Sequence, residues 1–361
     1  MPRHPAWIIQ LRDLALPLAA ALLLLWPGQT KAQAPAPLRL SIVGGLAGLN
    51  QYTRHEEPFW SRELRRLSHG RFEADIVPFD RAGVPGGDML RLVQLGVIPF
   101  GTILLSSMAA QHPEYTASDL AGLNPDMAQL KQSVAAFRPY LEKVMRERHG
   151  VEALAIYVYP AQVLFCKKPL TGLADLAGRR IRVSSATQSD FVEALGGVPV
   201  VTGFAQILAS LASGNTECAI TGTMSGNTLG LHEVTTHLHP LPVTWGLAIF
   251  GANRTAWDAL PPDLRALLRQ HLPTLEVEIW DESARETAQG IACNTGARNC
   301  VSGRSGRMTE VAVSPQDQRW SRKIFQDTVL KRWLQRCHGP CATVWNGTLG
   351  PVHDIVLPLT P

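Results

Sequence analysis

The chain has 361 residues, of which 45% are apolar, and it carries a formal net charge of +4. This length suits two domains of ordinary size better than one, and the apolar content is enough to bury two cores. The lysines and arginines form no dense tract and are not interleaved with aromatic residues, which argues against nucleic acid as a partner.

Residues 1–32 are predicted to form a secretory signal peptide. Two arginines precede an apolar run over 14–26, and small residues follow it. Because this run is shorter than the roughly 20 residues of a membrane-spanning helix, export is favoured over an uncleaved anchor, with cleavage after Ala32 or Ala34. Removing the segment takes away three basic residues and one acidic residue, which leaves a net charge of +2. No second long apolar run follows, so we expect a soluble, periplasmic mature protein.

From residue 38 onward, apolar periodicity and turn residues predict alternating strands and helices. The first predicted elements are a strand over 38–45, a helix over 58–70, a strand over 71–78, a helix over 88–96, a strand over 99–105 and a helix over 124–149. Pro139 lies inside the last of these helices and is expected to kink or divide it. Such alternation favours an α/β architecture with a largely parallel sheet.

The most informative feature of the sequence is Arg182, at the end of a predicted strand over 181–183. Ser185 and Gln188 then have the spacing of a capping box, which opens a helix that Gly196 ends. A guanidinium offers a planar, two-pronged donor, and a helix start offers unpaired N–H groups. Together they predict a binding site for a carboxylate, although a surface salt bridge is the ordinary role of an arginine.

The sequence around Arg182 follows a pattern with a specific order and spacing. Its positions are Asp175, Leu176, Gly178 and Arg182, then Ala194, Leu195, Gly196 and Pro199, then Leu211, Gly214 and Glu217. This pattern resembles the signature region of TRAP-type (tripartite ATP-independent periplasmic) transporter substrate-binding proteins, the DctP-like family. The resemblance extends from about residue 38 to at least residue 260. Glu217 and Cys218 stand where an aspartate and a glycine are usual in the family.

The resemblance implies an α/β, two-lobed periplasmic binding protein fold with a hinged interdomain cleft and a helical C-terminal region. We expect lobe I over 38–157 with a return segment over 246–290, and lobe II over 158–245. A cysteine-containing, mainly helical extension is expected over 291–361. The chain would cross between the lobes twice, and these crossings would form the hinge.

The resemblance also implies ligand-binding residues. Arg182 is expected to form a two-pronged bond to the ligand carboxylate, and Gln162 and Thr221 occupy positions that face the ligand. Because many relatives have a basic residue and an asparagine there, the ligand is expected to be less highly charged or unusual. Further candidates are Ser184, Phe204, Gly45, Tyr52 and Trp245. Phe204 begins an apolar helical stripe and is favoured as a core residue, whereas a pocket wall and a core position are equally consistent with Trp245.

Six cysteines fit an oxidising compartment and predict disulfide bonds. Many connectivities are open, and the preferred pairs are Cys166 with Cys218, Cys293 with Cys300, and Cys337 with Cys341. Zinc is the alternative, because His338 could join the last four cysteines as a ligand. The C-x-x-C pairs of a structural zinc site are absent, so no metal site is predicted.

Motifs of catalysis and cofactor binding are also absent. The sequence has no G-x-S-x-G elbow, P-loop or G-x-G-x-x-G. His232 and His237 are five residues apart, which on a helix turns them away from a common metal. Ser225 lies near the expected cleft, but a serine nucleophile also needs an oriented base. No cofactor is expected.

These observations predict an extracytoplasmic solute-binding protein, not an enzyme. It would capture a small organic acid in the interdomain cleft and deliver it to the subunits of a TRAP-type membrane permease. Two alternatives stay open at this point. One is a secreted hydrolase that uses the same anion site as a substrate clamp, and the other is a ligand-binding sensor component.

Overall fold

The structure of the protein is a computed structural model that describes residues 36–337 and 341–359. The predicted signal peptide and His338 lie outside the described residues. Residues from Pro37 onward belong to one compact unit. Every helix in the described ranges is too short or too polar to cross a membrane.

The strands alternate with helices through most of the chain, as the sequence predicts. In chain order the strands are β1 (Leu38–Gly44), β2 (Phe72–Pro78), β3 (Phe100–Leu104), β4 (Val151–Val158), β5 (Gln162–Cys166), β6 (Arg180–Val183), β7 (Val198–Val201), β8 (Cys218–Gly222), β9 (His237–Thr244), β10 (Leu247–Asn253) and β11 (Thr309–Glu310).

The helices vary widely in length. The α-helices are α1 (Leu64–Leu67), α2 (Met89–Gln94), α3 (Leu105–Met108), α4 (Met127–His149), α5 (Ala186–Ala194), α6 (Ile207–Ala212), α7 (Thr223–Leu229), α8 (Leu231–Val234), α9 (Arg254–Asp258), α10 (Pro262–Thr295), α11 (Pro315–Ile324), α12 (Leu330–Arg336), α13 (Cys341–Gly347) and α14 (Gly350–His353). The π-helical segments are Gln51–Glu56, Phe59–Glu63 and Phe325–Val329. The 3-10 segments are Gly86–Asp88, Pro113–Asp119, Leu173–Leu176 and Phe204–Gln206.

The strands form two mixed sheets, one in each lobe of a two-lobed fold. The first sheet has the order β2-β1-β3-β10-β4, and the second has the order β11-β9-β5-β8-β6-β7. Strand β10 is antiparallel to both of its neighbours in the first sheet. Strand β5 is likewise antiparallel to both of its neighbours in the second. The prediction of largely parallel sheets therefore holds except for one reversed strand in each.

The reversed strands are the two that follow a crossing between the sheets. The chain passes from β4 to β5 through residues 159–161, and it returns from β9 to β10 through Trp245 and Gly246. The crossings lie side by side, because the Tyr159 N–H donates to the Gly246 carbonyl at 3.0 Å. The division into two lobes with two crossings follows from this connectivity, while the predicted residue limits of the lobes stay a prediction.

Several helices extend further than the sequence patterns indicate. The helix expected over 58–70 is the end of a continuous helical stretch over 50–67. Helix α4 continues through Pro139. Helix α10 is a single helix of 34 residues that continues through Pro273. Ser314 caps α11, in a capping box with Asp317.

The predicted disulfide bonds are confirmed. Cys166 pairs with Cys218, Cys293 with Cys300, and Cys337 with Cys341. The first pair lies directly opposite in the register of β5 and β8. Zinc is bound by cysteine thiolates. The four cysteines of the alternative zinc site all lie in the second and third disulfide bonds, so that site has no thiolate ligand.

Candidate functional site

A cavity of about 430 Å³ lies between the two sheets, close to both crossings. It is lined by residues that follow the carboxyl ends of parallel strands, including Phe79 after β2, Ser184 after β6 and Gly222 at the end of β8. Open α/β sheets bind ligands at this edge, and the volume is in the usual range of small-molecule sites, about 300–1,000 Å³. The cavity is therefore a candidate binding site formed by loops of both lobes.

Arg182 lies in the wall of the cavity that the second sheet contributes, and it is only 3% exposed. Its Nε and Nη2 donate to the Thr202 carbonyl at 3.0 and 2.9 Å, and its Nη1 donates to the Ile220 carbonyl at 2.8 Å. These carbonyls belong to the segments next to β6 on either side. A guanidinium has five N–H groups, and these three bonds use three of them. One N–H on each terminal nitrogen therefore has no partner among the described residues.

The charge of Arg182 is not neutralised by an acidic side chain within residues 36–337 and 341–359. Burial lowers the pKa of Arg182 to about 10, because removal from water disfavours the charged form. The guanidinium is thus still protonated at neutral pH. A buried cation without a counter-ion is costly, and an anion that entered the cavity would remove that cost.

The capping pattern after Arg182 differs from the prediction by one residue. Ser185 accepts from the Gln188 N–H at 3.3 Å, as predicted. The side-chain oxygen of Gln188, Oε1, however, accepts from the N–H and the hydroxyl of Ser184, at 2.8 and 3.1 Å. This amide therefore occupies the Ser184 donors, although Ser184 lines the cavity. The donors that remain free for a ligand therefore belong to Arg182 more than to the start of α5.

Gln188 also connects the second sheet to the crossings. Its side-chain nitrogen donates to Gln162 Oε1 at 2.8 Å and to Thr244 Oγ1 at 2.7 Å. Gln162 in turn donates to the Trp245 carbonyl at 3.3 Å. The buried Gln188 side chain thus fixes the positions of Ser184 and Gln162, the two cavity residues that it contacts.

The structure brings Gln162, Thr221, Ser184 and Phe204 together with Arg182 around this cavity. Thr221 is buried in β8, and its hydroxyl makes no hydrogen bond with the described part of the chain. Phe204 lies in a 3-10 turn, where it lines the cavity and also packs against the core. The favoured interpretation of Phe204 as a core residue is therefore incomplete. The ligand-binding roles of these residues stay predictions.

Three predicted site residues do not line the cavity. Tyr52 lies in a helical segment, not in a loop, and its ring packs on Gly44 so closely that a Cβ there would come within 2.7 Å. Gly45 lies against Glu56 and donates its N–H to Glu56 Oε2 at 2.7 Å. Trp245 is a core residue, because its indole N–H donates to the Asn124 carbonyl at 3.0 Å and the ring is buried.

The wall that the first lobe contributes has a different composition. Its apolar side chains are Leu46, Leu49, Phe79, Val84, Pro85, Leu104 and Leu247. The polar residues of this wall are Asp80, Ser106, Ser107 and Tyr159. Asp80 is exposed at the rim and accepts from the Ala47 N–H at 3.0 Å. This wall offers surface to an apolar group.

Glu56 is a buried carboxyl group next to the first wall. Its Oε1 accepts from the Thr102 hydroxyl at 2.5 Å and its Oε2 accepts from Gly45. Burial outweighs these bonds and raises the pKa of Glu56 to about 7. It also raises the pKa of Tyr159. The first wall is therefore supported by a carboxyl group that titrates near neutrality.

A second buried carboxyl group holds the return crossing. Asp119 accepts from the N–H groups of Trp245 and Gly246, at 3.0 Å and 2.7 Å. Burial raises the pKa of Asp119 to about 7. Gly246 has a φ of 87°, a conformation that glycine adopts without strain, and it lines the cavity. Asp119 thus ties lobe I to the crossing where the chain returns.

Sequence reasoning missed several cavity residues of the first lobe. They are Asp80 after β2, Ser106 and Ser107 after β3, and Tyr159 after β4. The signal that could have found them is their position directly after predicted strands, since that edge of an open α/β sheet carries the ligand site.

The candidate catalytic groups of the sequence are not arranged for catalysis among the described residues. Ser225 lines it, but the Ser225 hydroxyl has no hydrogen-bond partner among the described residues. His232 lies in α8 and His237 begins β9. In the described ranges, no group of three or more histidine, cysteine or acidic side chains is arranged to hold a metal ion.

Comparison with known proteins adds a family match. The family model described as bacterial extracellular solute-binding protein, family 7, matches residues 50–296. The matched segment contains both crossings and nearly all of the residues that line the cavity, including Arg182.

Solved structures share the fold. A solute receptor of Bordetella pertussis that binds pyroglutamic acid superposes with a TM-score of 0.74 at 19% identity, over 86% of this chain and 98% of the receptor. A TRAP periplasmic solute-binding protein of Desulfovibrio salexigens with bound orotic acid gives a TM-score of 0.76 at 16% identity, over 88% and 99%. A TRAP protein of Rhodoferax ferrireducens with bound malonate gives 0.73 at 18% identity, over 85% and 96%.

Proposed function

Because the chain belongs to the bacterial extracellular solute-binding proteins of family 7, we propose that it captures a small organic acid and delivers it to a TRAP-type membrane permease. The acid would bind in the cavity between the lobes, with its carboxylate on Arg182. The protein would act in the periplasm after removal of the predicted signal peptide.

The observation that carries this proposal is the state of Arg182. It is a buried cation without an acidic partner among the described residues, and two of its N–H groups are unused. A carboxylate is planar and accepts two parallel N–H bonds from such a group. Since three bonds to backbone carbonyls already hold the guanidinium, little ordering cost would accompany binding.

The ligands of similar proteins support the same chemistry. Pyroglutamic acid, orotic acid and malonate, named with the three similar structures, all contain a carboxylate. At below 20% identity these proteins indicate a ligand class and not an identity. We propose a carboxylate ligand for this chain on that basis, together with the geometry of Arg182.

The mechanism we propose is closure of the two lobes around the acid. Lobe I would comprise 38–157 and 246–290, and lobe II 158–245, with the crossings at 159–161 and at Trp245 and Gly246 as the hinge. A ligand that touches both walls favours the closed form only by its higher affinity for that form. The permease would then recognise the closed form.

The proposed role excludes a chemical change of the ligand. The family and the similar structures are solute-binding proteins, and the Ser225 hydroxyl has no hydrogen-bonded base among the described residues. A hydrolase would release a processed product, whereas a sensor component would bind a signalling receptor instead of a permease. Both alternatives therefore make different predictions for the released molecule or for the partner.

The test begins with the exported, untreated protein in native mass spectrometry, followed by denaturation and identification of any released molecule. The protein is then titrated calorimetrically with a panel of pyroglutamate, orotate, malonate, galacturonate and cyclohexanecarboxylate, and each acid is recovered afterwards. We expect at least one acid to bind and to be recovered unchanged. Conversion of an acid would support the hydrolase, and no binding to the whole panel in ligand-free protein would contradict the proposal.

A further inference from the structure

The charges around the cavity are few. Of the described residues that line it, Arg182 is the one cation and Asp80 is the one carboxylate. Arg182 can neutralise one carboxylate of a ligand. A second carboxylate would find no cation in the described lining and would enter a site that already contains Asp80, so its loss of hydration would not be compensated.

The remaining surface is divided between the two walls. Thr221, Ser225 and Gln162 surround the second-lobe side of the cavity with polar atoms, in the same wall as Arg182. The first-lobe wall carries seven apolar side chains, and Phe204 adds an aromatic ring from the second lobe. Ser106 and Ser107 contribute hydroxyls without charge. An acid bound to Arg182 would therefore place the rest of its structure against an apolar wall.

From this arrangement we infer that the ligand is a monocarboxylate with an apolar, ring-sized body, not a dicarboxylate or a polyhydroxylated acid. The inference rests on the proposed function, since it specifies which acids the same site accepts. Each methylene group of the ligand that is buried in such a cavity should increase the affinity roughly fourfold. A ring against the first wall would thus contribute more to affinity than a second charge.

The probes that test this inference are cyclohexanecarboxylate, trans-1,4-cyclohexanedicarboxylate, acetate and malonate, titrated calorimetrically into the full mature chain. We expect cyclohexanecarboxylate to bind at least about tenfold more tightly than each of the others. Tighter binding of the ring dicarboxylate or of malonate would overturn the inference and leave the proposed function intact. Failure of every acid, these four and the wider panel, would overturn the proposed function and this inference with it.

Two variants test which residues make the cavity prefer an apolar monocarboxylate. Asp80→Asn removes the negative charge at the rim and keeps an acceptor for the Ala47 N–H. We expect it to strengthen binding of the ring dicarboxylate about threefold to tenfold, with little change for the monocarboxylate. An unchanged ratio of the two dissociation constants would contradict the role of Asp80.

Val84→Asn places an amide in the apolar wall, at a half-buried loop position that lines the cavity. We expect cyclohexanecarboxylate to bind about fivefold to tenfold more weakly, while acetate is affected less. Val97→Asn is the matched control, because Val97 is also in a loop but is exposed and outside the cavity lining. Equal effects of the two variants, or a loss that is the same for acetate, would contradict the assignment of the apolar wall.

Discussion

The two walls of the cavity differ in how they are built and in what they offer a ligand. The second-lobe wall holds one cation, Arg182, on the carbonyls of Thr202 and Ile220, and Gln188 fixes the polar side chains beside it. The first-lobe wall presents apolar side chains and is supported by Glu56, which makes no ion pair among the described residues. We interpret the first arrangement as the source of charge recognition and the second as the source of shape selection.

Arg182→Lys should produce the largest change, because it alters the charge recognition of the second wall directly. A lysine keeps the charge but cannot satisfy both backbone carbonyls and also form two parallel bonds to a carboxylate. We expect the best-binding acid of the panel to bind at least about thirtyfold more weakly, a loss of about 2 kcal/mol or more. Isothermal titration calorimetry measures this loss.

Arg180→Lys is the control for Arg182→Lys. Arg180 begins the same strand, but it is exposed and bonds to the carbonyls of Gly214 and Asn215 away from the cavity. The affinity of the Arg180→Lys protein for the acid should equal that of the wild type. Equal affinities for wild type and Arg182→Lys would contradict the role of the second wall.

The pH dependence of stability should come in part from the first wall. The pKa of Glu56 is raised to about 7 in the folded protein. Its stabilising contribution is therefore fully present below pH 4.5, the ordinary value, and is lost as the pH rises through about 7. Glu56→Gln stays neutral throughout. Relative to wild type, this variant should gain up to about 3 kcal/mol of unfolding free energy between pH 5 and pH 8.

Urea denaturation at several pH values measures this gain. Asp119, whose pKa is also raised by burial, contributes the same slope to both proteins, so the difference between them isolates Glu56. Glu147→Gln, at an exposed position on α4, should follow the wild-type curve. A constant difference between Glu56→Gln and wild type across the pH range would contradict the account.

Gln188→Leu tests whether the second wall depends on its supporting amide. The change leaves the N–H of Ser184 and the side-chain oxygen Oε1 of Gln162 without these partners. We expect a loss of about 2 kcal/mol in unfolding free energy and an affinity for the acid that falls several-fold. Gln132→Leu, at an exposed site on α4, should change neither quantity. A stable variant with full affinity would show that Gln188 has no positioning role.

Thr221→Val should have the smallest effect, because it removes a single neutral hydroxyl from the second wall. The hydroxyl makes no hydrogen bond with the described residues, so the unfolding free energy should not fall. The affinity for the acid should decrease about fivefold, as for the loss of one ordinary hydrogen bond worth about 1 kcal/mol. Thr228→Val, at an exposed position in α7, is the matched control. An unchanged dissociation constant for Thr221→Val would remove Thr221 from the ligand contacts.

Much of the second wall could be predicted because its residues lie within one continuous segment. The strand that carries Arg182, the turn at Gly196 and the cap at Ser185 are local patterns, and the structure contains all three. The disulfide pairing of Cys166 with Cys218 followed from the adjacency of strands in the same segment. Local sequence therefore determines this part of the site.

The first wall could not be predicted in the same way. Its residues lie at or after the ends of β1, β2, β3 and β4 and at the start of β10, so they are spread along the chain and meet only through the order of strands in the sheet. Tyr52 and Gly45 were expected in the cavity because they lie at or after the end of the first predicted strand. Tyr52 instead lies in the helical stretch over 50–67, which begins earlier than its apolar pattern shows, and Gly45 bonds to Glu56 of that stretch. Long-range packing, which one sequence does not specify locally, decides which side chains reach the cavity.

The most direct measurement is a calorimetric titration of the wild-type protein with the best-binding acid of the panel and with the primary amide of that acid. The two molecules have nearly the same shape, and only the acid carries the charge that Arg182 is expected to bind. We expect the acid to bind at least about thirtyfold more tightly than the amide. Equal dissociation constants for the acid and the amide would contradict the claim that this cavity recognises a carboxylate.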